Sequence, residues 1–438
     1  MSSARRVRLD NDLVVIARPN RAARSVALRL VLEAGAAFDP AGREGTAALV
    51  ADLLDRGAGS LPGEAIASFF DDLGVAYAAS ARRDTTEIEL RLLSRHLSGV
   101  LERVRLIAAE PTFPETEIRR EKDQALTALA ERDQDTAAVA EMELHAALFP
   151  PGHPYHHPRL GTRDSVSRIE RRDLAAFHRA RFRPGGTILS LAGDFDPARV
   201  LDLAATVFGS WTGDPDGRGR TMPGPPGGQA ASHTRVSIPE PPAPDKPVVV
   251  MRSIAGKTQA DIAFGFRGLR RLAPDLPAVL VLNSILGEFG LGGRLGKAVR
   301  DRAGLAYYAY SHFTAGLGAG PFVARAGVAP KGVRRAIDLM RRTITRIARR
   351  GVTSSELRDS RQALASSVPR RMETNPEAAA VLADAEFYGL GIDYPERLPG
   401  LIMKVMRDEV EDSARKYLTP DRSVLVVAGP ATEKEALA

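Results

Sequence analysis

Two stretches far apart in the chain end in the same way. Phe177-His-Arg-Ala-Arg-Phe-Arg-Pro leads into Leu189-Ser-Leu-Ala-Gly, and Ser413-Ala-Arg-Lys-Tyr-Leu-Thr-Pro leads into Leu425-Val-Val-Ala-Gly. Both read as helix, proline, apolar strand, glycine. A second pair, Glu117-Ile-Arg-Arg and Glu356-Leu-Arg-Asp, each leads into Gln-Ala-Leu, one residue out of step. Two pairs in the same order imply an internal duplication. Each copy mixes strands and helices irregularly and carries hairpin signals, so the expected class is α+β: two homologous domains, each a mostly antiparallel or mixed sheet packed with helices. Residues 213–244 are dense in Gly, Pro, Ser and Asp without periodicity and read as a linker. The expected division is therefore 1–212, 213–244 and 245–438. A length of 438 residues suits more than one core.

Hydrophobic periodicity and turn residues place strands at 13–18, 25–32, 75–81, 85–93 and 186–192, with helices at 46–55, 62–73, 96–109, 114–148 (broken near Asp133) and 169–181. Beyond the linker, strands are expected at 248–253, 260–267, 305–311, 321–328 and 423–428. Helices are expected at 278–286, 294–302, 332–349, 354–368, 378–387 and 398–417.

The formal charge is +7, with arginine far commoner than lysine. The basic residues are interleaved with acids and accompany no nucleic-acid motif, so solvated helix faces are the expectation and nucleic acid is not an expected partner. No apolar run approaches a membrane span, and the basic N-terminus has no apolar core after it, so no membrane contact and a cytoplasmic site are expected. A periplasmic location stays open if the sequence is trimmed. Cysteine is absent, which excludes disulfide and thiolate chemistry.

The stretch Gly292 to Phe313 reads as a helix, a stop at Gly304 and a strand with three tyrosines. Arg300 falls in the last helical turn and Tyr307 near the strand start. A reversal at Gly304 could set a guanidinium and a phenol side by side, two donors aimed at one oxygen. Arg300-x-x-x-Gly-Leu-x-Tyr307 after a glycine-rich turn resembles the C-terminal half of the pitrilysin/insulinase family of zinc peptidases. Here Val299 stands where the family has Leu. In that family the matching Arg and Tyr contact substrate near the scissile carbonyl; the choice of Arg300 over Arg302 rests on this register.

The resemblance covers nearly the whole chain. His153-Pro-Tyr-His-His-Pro-Arg-Leu-Gly is similar to the family's His-Pro-Tyr-Gly-x-Pro-x-x-Gly segment. Gly45 to Gly57 fits the register of the family helix Gly-x-Ala-His-x-x-Glu-His-x-x-x-x-Gly, where two histidines one turn apart bind zinc and a glutamate serves as base. In this sequence Ala48 stands at the first ligand position, Ala51 at the base, Asp52 at the second ligand, and Ala128 at or near the third. Glu121 and Glu131, the nearest acids, are out of register. A methyl group neither coordinates a metal nor takes a proton, so no metal and no catalysis are expected of this chain alone. His153, His156 and His157 form the one histidine cluster, in a segment that is structural in the family.

By resemblance, the chain is similar to the non-catalytic subunit of a heterodimeric member, such as the glycine-loop (alpha) subunit of mitochondrial processing peptidase. Zinc would belong to a partner carrying His-x-x-Glu-His, Arg300 and Tyr307 would reach the substrate carbonyl in trans, and the substrate would be a peptide or unfolded polypeptide. Two alternatives stay open: a scaffold subunit of the respiratory core-protein type, and a peptide-binding module with an open sheet edge.

Overall fold

The structure is a computed structural model that describes residues 4–212, 236–242 and 244–430. Most of the expected linker, 213–235 and residue 243, lies outside the described residues. The chain forms two compact units that are not contiguous in sequence. Unit 1 takes in Met1–Ala128, Arg159–Ser237 and Arg370–Pro395; unit 2 takes in Leu129–Pro158, Ile238–Pro369 and Glu396–Ala438.

The sheet of unit 1 has six strands in the order Arg5–Arg8, Val14–Pro19, Ile188–Gly193, Ser25–Leu32, Thr86–Leu93, Ala76–Ala81. The sheet of unit 2 has five: Val248–Ser253, Val424–Gly429, Ala260–Arg267, Pro321–Val328, Ala306–Phe313. Leaving out Arg5–Arg8, the two orders are the same. In each, the first two of these five strands pair in parallel and the rest are antiparallel. The α+β class follows, and the duplication seen in four short stretches of sequence is a duplication of sheet topology.

One face of each sheet carries a helix drawn from the opposite half of the sequence. In unit 1 it is Asn375–Phe387. Ala378 and Ala379 meet Ala27 and Ala192 of the sheet, small against small, which lets the helix backbone settle close. Its ends are tied: the Asn375 side-chain amide donates to the Ser25 carbonyl at 3.2 Å, and Arg6 forks onto Glu386 at 2.9 and 2.7 Å. In unit 2 it is Thr136–Leu148. Thr136 donates to the buried Asp261 carboxylate at 2.5 Å, Arg252 forks onto Glu143, and the Leu144 side chain lies directly over Gly265. Any side chain at position 265 would collide with that leucine.

The other face of the second sheet holds the larger core, where Phe264, Phe266 and Phe322 meet Leu282, Ile285, Leu286, Met340 and Ile344. Leu276–Arg302 is one helical run rather than two separate helices, and it widens into π turns at Ser284–Glu288 and Gly296–Arg302. By length and composition it is apolar enough to cross a membrane, but 75% of its apolar window is buried inside the protein, so that surface is spent on the core. The run stops at Gly304, whose φ of +62° suits a residue without a β-carbon. The strand Arg5–Arg8, the two-residue strands Gly57–Ala58 and Leu61–Pro62, and the helices Arg163–Arg168 and Pro197–Phe208 were absent from the expectation, and the segment 398–417 breaks at Val405-Met406 into two helices.

Leu144 is fully buried. Leu144→Ala should therefore destabilise unit 2 by about 2–5 kcal/mol, the usual cost of a leucine-sized cavity. Hydrogen exchange of the amides in Ala260–Arg267 should accelerate accordingly. Unchanged protection of that strand would mean that the helix contributes nothing to the sheet beneath it.

Candidate functional site

The helix Thr46–Leu53 is started from outside itself. Both oxygens of Asp39 accept backbone N–H groups at 2.7 Å, from Gly45 and Ala47, so the carboxylate serves the orphan donors of the first turn. Ala48 is half-buried and the methyl group of Ala51 is in the core. Asp52 points outward. No donor stands at the first ligand or base position, and among the described residues no group of three or more His, Cys, Asp or Glu could hold a metal ion. This donor set does not fit zinc, and no step is assigned through a metal in this chain.

A network of charges stands there instead. Glu121, on the helix Glu115–Arg132, is buried and accepts from Arg56 Nε at 3.0 Å; Arg56 Nη1 lies 3.7 Å from Asp55. Asp52 is exposed along its outer edge, yet its carboxyl is crowded by protein. That crowding first, and the Glu121 charge second, push its pKa up to about 6. Burial also raises Asp55 and, with the Asp55 and Asp52 charges, raises the phenol of Tyr77. The Tyr77 hydroxyl is enclosed without a hydrogen-bond partner. Glu121, out of register in the sequence reading, is the acid the fold brings beside the helix. Ala128, two helical turns further on and on the same face of its helix as Glu121, is exposed. The sequence held a clue to this network: Arg56, just past the end of the helix Thr46–Leu53, follows two acids, Asp52 and Asp55.

In unit 2, Arg300 and Tyr307 flank the reversal at Gly304. The Gly304 amide donates to the Arg300 carbonyl and the Leu305 amide to the Val299 carbonyl, a helix-closing pair widened by one residue because the last turn is a π turn. The Arg300 guanidinium is held by its neighbour, with Nε 2.8 Å from Asp301 Oδ1. Tyr307 is 88% exposed. It owes this to a β-bulge: Ala306 pairs with Val328 and Tyr308 with Gly327, so Tyr307 is the extra residue and its side chain is thrown outward. Among the described residues, Arg300 and Tyr307 share no hydrogen bond; both remain available to a third group.

The histidines serve the loop. His153 Nε2 lies 3.0 Å from the Pro239 carbonyl while its Nδ1 accepts the Tyr155 amide, and its ring stacks on Phe149 at 4.9 Å. His156 and His157 each face a backbone carbonyl through Nδ1.

Comparison with known proteins gives consistent results. A family model described as insulinase (peptidase family M16) matches residues 14–162, and one described as peptidase M16 inactive domain matches residues 168–364. A Helicobacter pylori protein named a non-peptidase homolog is 23% identical over 396 residues, 89% of this chain and 85% of its own. An uncharacterized zinc protease of Mycobacterium tuberculosis is 27% identical over 438 residues, 99% of this chain and 94% of its own. The crystal structure of a peptidase M16 inactive domain from Pseudomonas fluorescens superposes with a TM-score of 0.88 at 26% identity, covering 98% of each chain.

The charge network makes a prediction about protons. An aspartate carboxyl ordinarily has a pKa near 3.8, and burial pushes that of Asp52 up to about 6, so the folded state holds this proton more tightly than the unfolded one. Its contribution to stability is fully present below about pH 3.8 and is lost as pH rises through 6. Carboxyl NMR titration should find that midpoint, and Glu121→Gln should lower it by removing a like charge. Titration of Asp52 near 4 in both proteins would refute the coupling.

Proposed function

The chain belongs to the M16 (insulinase) peptidase family, and from that membership and the missing donor set we propose that it is the non-catalytic, substrate-holding subunit of a zinc endopeptidase whose metal sits in a second chain. That chain would carry His-x-x-Glu-His and bind zinc; this one would supply Arg300 and Tyr307 to the carbonyl of a peptide or unfolded polypeptide, in the cytoplasm. The observation that carries the reading is the bulge at Tyr307. An aromatic residue kept for packing would be buried, whereas this phenol is almost wholly exposed at the end of a strand. The name of the Helicobacter relative, a non-peptidase homolog, supports a role without catalysis by the single chain.

The chemistry is that of charge stabilisation. Attack on a peptide carbonyl builds negative charge on its oxygen, and a preorganised donor aimed at that oxygen lowers the barrier by roughly 3 kcal/mol. Tyr307 O–H is a neutral donor free of competing acceptors, and the Arg300 guanidinium has N–H groups beyond the one engaged by Asp301. A scaffold role would not need the phenol exposed. A peptide-binding module remains the second reading, favoured by the position of Ala306–Phe313 at the sheet edge.

Cleavage of a quenched fluorescent peptide, with this chain alone and with a purified His-x-x-Glu-His partner, tests the proposal. The chain alone should be silent and the mixture should exceed the partner's own rate. Tyr307→Phe should cut turnover of the mixture about 100-fold while the two chains still co-elute. Full turnover by a co-eluting Tyr307→Phe mixture would remove the donor role; peptide binding by the isolated chain with no gain on mixing would favour the module.

A further inference from the structure

Between the end of the run Leu276–Arg302 and the helix Val333–Arg350 lies an open cleft of about 320 Å³, rimmed by four arginines: Arg302, Arg335, Arg342 and Arg346. Ala298, Ala303 and Leu339 contribute an aliphatic floor. Arg335, Arg342 and Arg346 are spaced by seven and four residues, which puts them on one stripe of the helix. At 1.5 Å per residue the stripe is about 16 Å long. None of the four has a carboxylate partner among the described residues. All four side chains belong to exposed residues.

The fold gives no reason for this loading. The helix Val333–Arg350 carries seven arginines and one aspartate, with no acid in its first turn. Arg349 and Arg350 sit at its C-terminus, where the helix dipole favours positive charge. Arg335 sits near the N-terminus, where the dipole opposes it, and Arg342 and Arg346 stand one turn apart, where like charges repel. Asp338, three residues after Arg335 and four before Arg342, is the helix's one acid to set against them, so the cleft remains a concentration of positive charge.

We propose that this cleft is a docking groove for an acidic, amphipathic segment of a partner protein, its carboxylates forked onto the arginines and its leucine-like side chains on the aliphatic floor. Guanidinium groups match carboxylates bidentately, and a stripe on one helix suits acids spaced along another. The floor decides among anions. A chain of phosphates would leave it wet, a nucleic acid would find no aromatic ring among the lining residues on which to stack a base, and a lipid surface would want an apolar anchor that this helix does not expose. The proposal is independent of the role assigned to Tyr307.

The test is fluorescence anisotropy on the full chain at about 150 mM salt, where long-range attraction is screened. The probe is a labelled synthetic peptide with Glu and Leu on opposite edges of one helical face. Controls are a scrambled peptide of the same composition, oligoglutamate of equal charge and inorganic polyphosphate. The ordered peptide should bind saturably and about tenfold more tightly than the scrambled one. R342E/R346E should weaken it about tenfold, whereas R349E/R350E, an equal charge change outside the cleft, should leave it within about threefold. Melting curves by circular dichroism establish that both variants are folded. Equal binding of the scrambled peptide, oligoglutamate or polyphosphate would reduce the site to undirected charge attraction and overturn the proposal. So would equal losses in the two variants, or no loss in R342E/R346E.

Discussion

At Gly287 the run Leu276–Arg302 comes so near the edge strand Ala306–Phe313 that a β-carbon would lie 2.0 Å from the Ser311 amide nitrogen. Gly292 approaches the Ala309 carbonyl in the same way, at 2.3 Å. Such distances admit only glycine, and much of unit 2 follows from them. The strand lies flat on the helix, Ser311 reaches Asn283 at 2.8 Å, and alanine suffices at 309 because no space is left to fill. With residues 308–313 held in register, the extra residue of the strand is accommodated at its start, and there Tyr307 is pushed into solvent. Arg294 secures the same region from the other side. It forks onto Glu356 at 2.8 and 2.6 Å, and although burial alone would raise that carboxyl, the Arg294 and Thr353 hydrogen bonds hold it down to about 2. Glycine packing and one bidentate ion pair thus fix the element that presents the tyrosine.

The two units share one topology and differ in what they do with it. In unit 1 the helix that stands in the register of a metal site carries Ala48 and Ala51, and the acids left nearby, Asp55 and Glu121, are drawn to Arg56. A buried carboxylate needs a counter-charge whatever its history. Arg56 supplies it permanently, where a metal would supply it only when bound. Asp52 forms no such pair: Arg56 lowers its pKa only through space, and burial first and the Glu121 charge second keep it raised.

Much of this was legible in the sequence because strands and helices write their periods into it. Ser25–Leu32, Ala76–Ala81 with Thr86–Leu93, Pro321–Val328 and Val333–Arg350 fall within a residue or two of expectation. Arg5–Arg8 escaped because a four-residue edge strand of three arginines has no apolar alternation. Pro197–Phe208 left a signal that could have been read: Asp196 before Pro197 is a capping residue before a first-turn proline, and its carboxylate accepts from Ala198 and Arg199. The exchange of Asn375–Phe387 and Thr136–Leu148 left none. An amphipathic pattern says that a helix has a buried face, not which sheet covers it. The bulge at Tyr307 was equally silent, since register belongs to a pair of strands and not to either one.

The candidate residues divide along the same line. Their identities came from motif and register, but their states came from neighbours that no motif includes. Arg300 is tethered by Asp301, the next residue, and Arg302 turns instead to a cleft shared with a helix more than thirty positions later. Two arginines two residues apart on a terminal π turn thus face different surroundings. A regular α turn advances about 100° per residue and a π turn less, so the angle between their directions depends on which kind of turn ends the helix. The widened turn is therefore part of the site: it sets where Arg300 points, and it leaves Arg302 free to serve a different surface.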